Sequence, residues 1–279
     1  MKKYIMAVCL LAAGTFALTS CGEKESIVTL NVNLEKPAAS KGYIDNTCTP
    51  RLVTGDSAYV NDGVFAFDFE NGDPILRVNH ASDNVYRAIF PASIVDVNAN
   101  PDIAHLNNVR VNIPQIQKYE IENGVQKVDM PMISYPEGYR LWFKNMCSIV
   151  RVNVINTSSV PIKMDNIQVS NNVTGQSGTG YVYLAGSTHV SVPTATNLPV
   201  TTVDPISANR YVQLNIKDAD VTIAAGASAV FSLVVAPFSG ATEGMFIRVN
   251  TDGNGFKDLS LPNVTSLDRN IIAEVNFTW

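Results

Sequence analysis

The chain has 279 residues and carries 25 acidic against 20 basic side chains, for a formal net charge of −5. Only 16% of the residues are charged, and the basic ones form no stripe, so we expect no nucleic-acid partner. The length allows two domains of ordinary size or one large β-sandwich.

The first twenty residues predict an export signal. Lys2 and Lys3 are basic, and residues 4–18 are almost entirely apolar but short of the about 20 residues that a membrane span needs. Leu18-Thr19-Ser20-Cys21 resembles the lipobox of bacterial lipoproteins. That resemblance implies a signal peptide over 1–20, a lipid on Cys21 and a tether over 21–26. An ordinary signal, in which Cys21 has no role, is the alternative.

Such a lipid anchor would hold the chain on a membrane while the rest stays outside the bilayer. The acidic residue soon after Cys21 resembles the signal that sends Bacteroidales lipoproteins to the outer surface. We therefore expect an outer-membrane lipoprotein, exposed at the cell surface.

Beyond the tether, apolar residues recur at every second position, which predicts half-buried β-strands. The first such run places four apolar side chains on one face: Val28, Leu30, Val32 and Leu34. The same alternation recurs later, over residues 109–113, 150–154, 211–216, 245–250 and 270–279.

Turn-forming residues separate these runs, and no helical period is sustained, so we predict an all-β chain of antiparallel β-sandwiches. Residues 114–140 are polar and interrupted by prolines, and a long apolar strand pair follows. We therefore place a domain junction near residue 140, which gives domains over 27–140 and 141–279.

No catalytic or metal-binding set is recognisable. No G-x-S-x-G elbow frames a serine, and His80, His105 and His189 lack ligand spacing. Residues 252–255 fit a β-hairpin turn better than a calcium loop, because the final loop position holds Asn263 where an EF-hand needs Glu. We expect no cofactor and no enzymatic activity.

Two cysteines, Cys48 and Cys147, remain after the signal and the lipid site are set aside. They could form a disulfide in an oxidising envelope, or they could be two separate buried thiols.

Several segments in order resemble the fimbrillin-like family of Bacteroidales lipoproteins, the subunits of type V pili. Besides the lipobox, they are NVYRAIFPAS from 84, VDMPMISY from 128, LWFKNMCSIVRVNVIN from 141 and LDRNIIAEVNFTW from 267. The resemblance implies two transthyretin-like β-sandwich domains. It also implies assembly by strand exchange, in which a protease cuts beyond the first strand and another subunit's strand refills the groove.

On this chain the leaving strand would be residues 28–34, and the cut would fall after Arg51 or, second, after Lys41. The chain ends at Trp279, where the last domain strand is expected to end, without the extra strand that stalk subunits donate. The resemblance thus implies a tip, anchor or accessory subunit rather than a stalk subunit. Its partners would be other pilus subunits and a host or bacterial surface glycan or protein.

The competing hypothesis is a glycan-binding outer-membrane lipoprotein of a polysaccharide-uptake system. Sugars stack on exposed aromatic rings, and Trp142, Tyr135 and Tyr139 are the candidates for such a platform. Turn packing explains the same residues, so the sequence leaves this alternative open.

Overall fold

A computed structural model describes residues 26–35, 38–39, 52–122, 124–171 and 184–279. In this part of the chain the regular structure is β-strand, with two short 3₁₀ helices at Ala92–Ile94 and Lys217–Ala219. The strands are β1 Ile27–Leu34, β2 Ala38–Ala39, β3 Ser57–Val60, β4 Gly63–Glu70, β5 Asp73–Asn79, β6 Ala88–Phe90, β7 Asn108–Ile113, β8 Ile116–Lys118, β9 Ile121–Glu122, β10 Val125–Gln126, β11 Met132–Glu137, β12 Arg140–Asn145, β13 Ser148–Ile155, β14 Ile162–Ser170, β15 Ala185–Ser191, β16 Thr201–Asn209, β17 Tyr211–Asn215, β18 Thr222–Ile223, β19 Ser228–Val235, β20 Phe238–Ser239, β21 Met245–Thr251, β22 Gly255–Leu261, β23 Ser266–Leu267 and β24 Ile271–Thr278.

The predicted all-β class is confirmed, and the alternating runs form strands. In β21 every second residue is buried, as a sheet with one face on the core requires. β13 is buried on both faces along most of its length, and its two edges pair with β19 and β24.

Seven strands in the first half of the chain pair in a closed ring, in the order β1-β12-β11-β6-β3-β4-β5, with β5 returning to β1. Aromatic rings fill its interior. The ring of Phe67 lies 5.8 Å from that of Phe90 and 6.3 Å from that of Phe143, in edge-on and tilted arrangements that aromatic pairs prefer.

The second half forms the β-sandwich. One sheet has the order β19-β13-β24-β2, and the other has the order β22-β21-β14-β17-β8, with β18 pairing to β14. β17 of the second sheet lies against β19 of the first. A smaller sheet, β16-β15-β7, and two ribbons, β9-β10 and β20-β23, complete the described fold.

Two features of the pairing differ from a simple antiparallel arrangement. Among the strands that the structure describes, four pairs are parallel, namely β1 with β12, β13 with β24, β8 with β17 and β2 with β24. In addition, β2, β7 and β8 pair with strands from the second half, while β12 completes the ring of the first. The division at residue 140 and the transthyretin-like topology stay predictions. Strands that precede residue 140 pair with strands that follow it.

The predicted turns lie where the sequence placed them. Asn71 and Gly72 join β4 to β5 with φ of 54° and 89°, and Glu70 pairs directly with Asp73. Positive φ at both central residues is the type I′ pattern that Asn-Gly favours. Residues 252–254 likewise connect β21 to β22, with Thr251 opposite Gly255, so the hairpin interpretation of this loop is confirmed.

Candidate functional site

The candidate site is the β1 groove, the space between β5 and β12 that β1 fills. Leu30 is opposite Leu76 of β5, and Val32 is opposite Leu141 of β12. The Leu30 side chain is fully buried, and Val32 is 7% exposed. β1 is paired on both edges, and the burial of Leu30 and Val32 makes its apolar face part of the core.

Val28 and Leu34, the two other apolar residues predicted for this strand, are half-buried and pack against the same core. The alternation from residue 28 to residue 34 is therefore confirmed as a strand with one buried face. Whether this strand can be exchanged stays a prediction.

Backbone hydrogen bonds hold both ends of β1. The amide of His80 donates to the carbonyl of Ser26 at 2.8 Å, before the strand begins. The amide of Glu35 donates to the carbonyl of Phe143 at 3.0 Å, after the strand ends. Backbone pairing therefore holds the strand from Ser26 to Glu35.

The side chain of Glu35 adds a charged contact, which we call the Glu35 anchor: Glu35, Arg269, Asn145 and Lys144. The Arg269 guanidinium meets the carboxylate with both Nη atoms, Nη1 to Oε2 at 2.8 Å and Nη2 to Oε1 at 3.1 Å. The amide of Asn145 donates to Oε2 at 2.8 Å, and Lys144 Nζ lies 3.9 Å from Oε1. This two-pronged geometry is the strongest that a carboxylate makes with arginine.

The Glu35 anchor is largely shielded from water. The Glu35 and Arg269 side chains are 16% and 14% exposed. Arg269 Nη1 also donates to the carbonyl of Asn145 at 3.0 Å, which ties the loop before β24 to the end of β12. Sequence reasoning missed this contact, because its two charged partners are 234 residues apart.

Beyond Glu35 the backbone continues into the other half of the molecule. Ala38 and Ala39 form β2, which pairs in parallel with Ile271 and Ile272 of β24. A single ribbon, residues 27–39, therefore contributes one strand to the ring and one to the four-stranded sheet.

The remaining predicted site residues, Cys21, Lys41 and Arg51, lie outside the described residues, as does Cys48. Among the described residues, Cys147 is a free and fully buried thiol. Burial raises the pKa of this thiol well above its usual range, because the thiolate is disfavoured away from water.

A second feature is the first part of residues 114–140, which the sequence predicts as polar and interrupted by prolines and in which the structure forms the short strands β8, β9 and β10. Two of its three glutamines, Gln117 and Gln126, make with their side chains the hydrogen bonds that a neighbouring strand would make along the open edge of β19. Gln117 Nε2 donates to the Val234 carbonyl at 2.6 Å, and the Val234 amide donates to Gln117 Oε1 at 2.9 Å. Gln126 makes the same pair with Ser232, at 2.8 and 2.7 Å. The segment thus covers a sheet edge that would otherwise be open to pairing.

We expect Gln117→Ala and Gln126→Ala each to lower the free energy of unfolding by about 1–2 kcal/mol, because each leaves a backbone donor and acceptor without partners. Native-state hydrogen exchange provides the measurement. The Val234 amide should exchange faster in the first variant and the Ser232 amide in the second. The Leu233 amide faces β13 and serves as the internal control, and equal acceleration at all three amides would contradict the edge-covering role.

Of the three aromatic residues predicted for a glycan platform, Tyr135 and Trp142 lie side by side, whereas Tyr139 contacts a different ring. Tyr135 and Trp142 are direct cross-strand partners on β11 and β12, and both are half-buried. Tyr139 is 49% exposed, but its ring contact is with Tyr86, at 6.3 Å, and its hydroxyl donates to Asn84 Oδ1.

A polar cleft of about 790 Å³ lies at one end of the ring, beside the start of β1. His105 Nε2 and Asp83 Oδ2 lie 2.9 Å apart at its rim, and the pKa of Asp83 is lowered chiefly by the Val85 amide that donates to it.

Within the described ranges, no group of three or more His, Cys, Asp or Glu residues is arranged to hold a metal ion. Nor does this part of the chain contain a helix with the length and apolar character of a membrane span.

Comparison with known proteins adds the class of fold. No known family profile matches the sequence, and no curated protein matches it. Among solved structures, the chain is similar to a proposed cell adhesion protein from Bacteroides ovatus at 12% identity, with a TM-score of 0.53. The match covers 91% of this chain and 92% of that one, so the two share an overall fold.

More distant similarities are to a proposed cell adhesion protein from Bacteroides uniformis and to the tip fimbrial protein Mfa3 from Porphyromonas gingivalis. The first has 13% identity and a TM-score of 0.47 over 90% of this chain and 94% of that one. The second has 12% identity and a TM-score of 0.38 over 89% and 92%.

Proposed function

We propose that the chain is a surface-anchored fimbrial subunit that acts in cell adhesion and assembles by exchange of β1, without enzymatic activity. The observation that carries the proposal is the position of β1. It is paired on both edges and its apolar side chains fill a core, and the sequence that follows it contains the basic residues Lys41 and Arg51. A strand in this position can leave, and another strand can supply the same backbone bonds and side chains.

In this proposal a lipid on Cys21 holds the precursor at the outer membrane, and cleavage after Arg51 or Lys41 frees the ribbon that contains β1 and β2. The cleaved subunit then accepts a strand from another pilus subunit. A tip, anchor or accessory position is part of the proposal, and the fold shared with a proposed cell adhesion protein supports the role in attachment.

Limited digestion with trypsin tests the proposal on the purified chain with Cys21 replaced by Ser. The first cuts should fall between residues 36 and 51, and the cut ribbon should stay bound because β1 is still seated. A labelled peptide of residues 26–39, SIVTLNVNLEKPAA, should then exchange into the cut protein and not into the intact one.

A variant with Lys36, Lys41 and Arg51 all changed to Gln is the matched control, since it removes the basic sites of this segment. It should resist the cut and exclude the peptide. Strand exchange is contradicted if the folded wild-type chain is not cut in this segment, or if the cut chain takes up no peptide.

A further inference from the structure

If β1 left, the empty groove would need an acidic side chain from the next strand as well as apolar ones. Glu35 supplies the only carboxylate among the side chains of the Glu35 anchor, whereas Arg269 and Lys144 both carry positive charge. With Glu35 gone, the Asn145 amide would lose its acceptor and the Arg269 guanidinium would lose its carboxylate partner, in a site that is mostly shielded from water. Removing one partner from a buried charge pair is strongly unfavourable.

Resting on the proposed function, we propose that the partner strand that fills the β1 groove carries an acidic residue immediately after its last apolar residue, and that Arg269 selects it. The register places this residue. Leu34 is opposite Phe143 on the parallel neighbour β12, and the next amide along the chain, that of Glu35, donates to the Phe143 carbonyl. An incoming strand in the same register brings its own following residue to the same point.

The apolar side chains and the carboxylate contribute differently to recognition of the strand. The alternating apolar residues make the strand fit any groove of this shape, because burial is not directional. The carboxylate fixes the register and the direction, because only one position along the strand meets the guanidinium. A slip by one residue would turn the apolar face to water as well as separate the charges.

The test uses the trypsin-cut chain and labelled peptides of residues 26–39, with release measured by fluorescence anisotropy after adding excess unlabelled peptide. A peptide with Glu35→Gln should dissociate about 30-fold faster than the native peptide, or more. A peptide with Lys36→Gln is the matched control, because it also loses one charge, and its release rate should stay within about threefold of native.

The same peptides on an Arg269→Gln protein complete the test. There the native and Glu35→Gln peptides should dissociate at similar rates, since the guanidinium that distinguishes them is gone. If Arg269→Gln does not fold, the peptide comparison on the wild-type protein still decides the question.

The two hypotheses fail in different ways. Equal release of the native and Glu35→Gln peptides from the wild-type protein would overturn the acidic requirement and leave strand exchange standing. Failure of the native peptide to enter the cut protein at all would remove strand exchange, and the acidic requirement with it.

Discussion

Replacing Leu30 with Asp is expected to lower the free energy of unfolding by more than about 4 kcal/mol, because it places an unpaired charge in an apolar core. Leu30 is fully buried and lies opposite Leu76, in a closed ring where the neighbouring strands leave no route to water. Urea denaturation followed by circular dichroism gives the measurement.

Asn31→Asp is the matched control, since it adds the same charge one residue along, on the exposed face of β1. Its free energy of unfolding should stay within about 0.5 kcal/mol of the wild-type value. Equal stability of the two variants would mean that β1 is not part of the core, and the proposed exchange would lose its basis. A Leu30→Asp version of the 26–39 peptide should likewise fail to enter the cut protein.

The second large effect is expected for Phe143→Ala, which should cost about 3–5 kcal/mol of stability. Phe143 is 1% exposed and lies on β12, with Leu34 of β1 as its register partner and the ring of Phe67 at 6.3 Å. Removing the ring leaves a cavity between β1 and the interior, so the exchange rate of bound β1 peptide should rise as well.

Phe256→Ala makes the same chemical change at an exposed position. Phe256 is 57% exposed on the edge strand β22, where the Arg248 guanidinium lies 4.2 Å from its ring centre. Its loss should cost about 1 kcal/mol or less, as expected for a surface contact between a cation and a ring. The two variants should therefore separate clearly in denaturation midpoint, and similar midpoints would contradict the view that the ring has a tightly packed core.

The sequence predicts β1 well because one of its faces is buried and the other is exposed. Burial of one face is what produces alternation, so the pattern alone is enough to assign Leu30 and Val32 to the core. Local turn chemistry is equally readable, since Asn71 and Gly72 need only their own backbone angles to join β4 to β5.

What the sequence does not reveal is which strands are neighbours. The alternation of β7 is as clear as that of β1, yet β7 pairs with β15 from the second half. Nothing in residues 108–113 encodes that partner, because any sheet with one buried face accepts the same pattern. The assignment of β12 to the ring and its parallel pairing with β1 escape prediction for the same reason.

The polar contacts of the site escape prediction for a second reason. Gln117 and Gln126 occur in a segment that looks like a solvated linker, but their amides bind the backbone of β19. A glutamine that copies a strand and a glutamine in water have the same local sequence. Only the fold, which brings a strand edge within reach, distinguishes them.

The pairing of Ala38 and Ala39 with β24, together with the contact of Glu35 with Arg269, joins the first strands of the fold to its last one. The amino-terminal strands therefore cannot complete their bonds until residues 269–272 are in place. Contacts this distant in sequence make folding slow, in the range of roughly milliseconds to seconds for β-proteins.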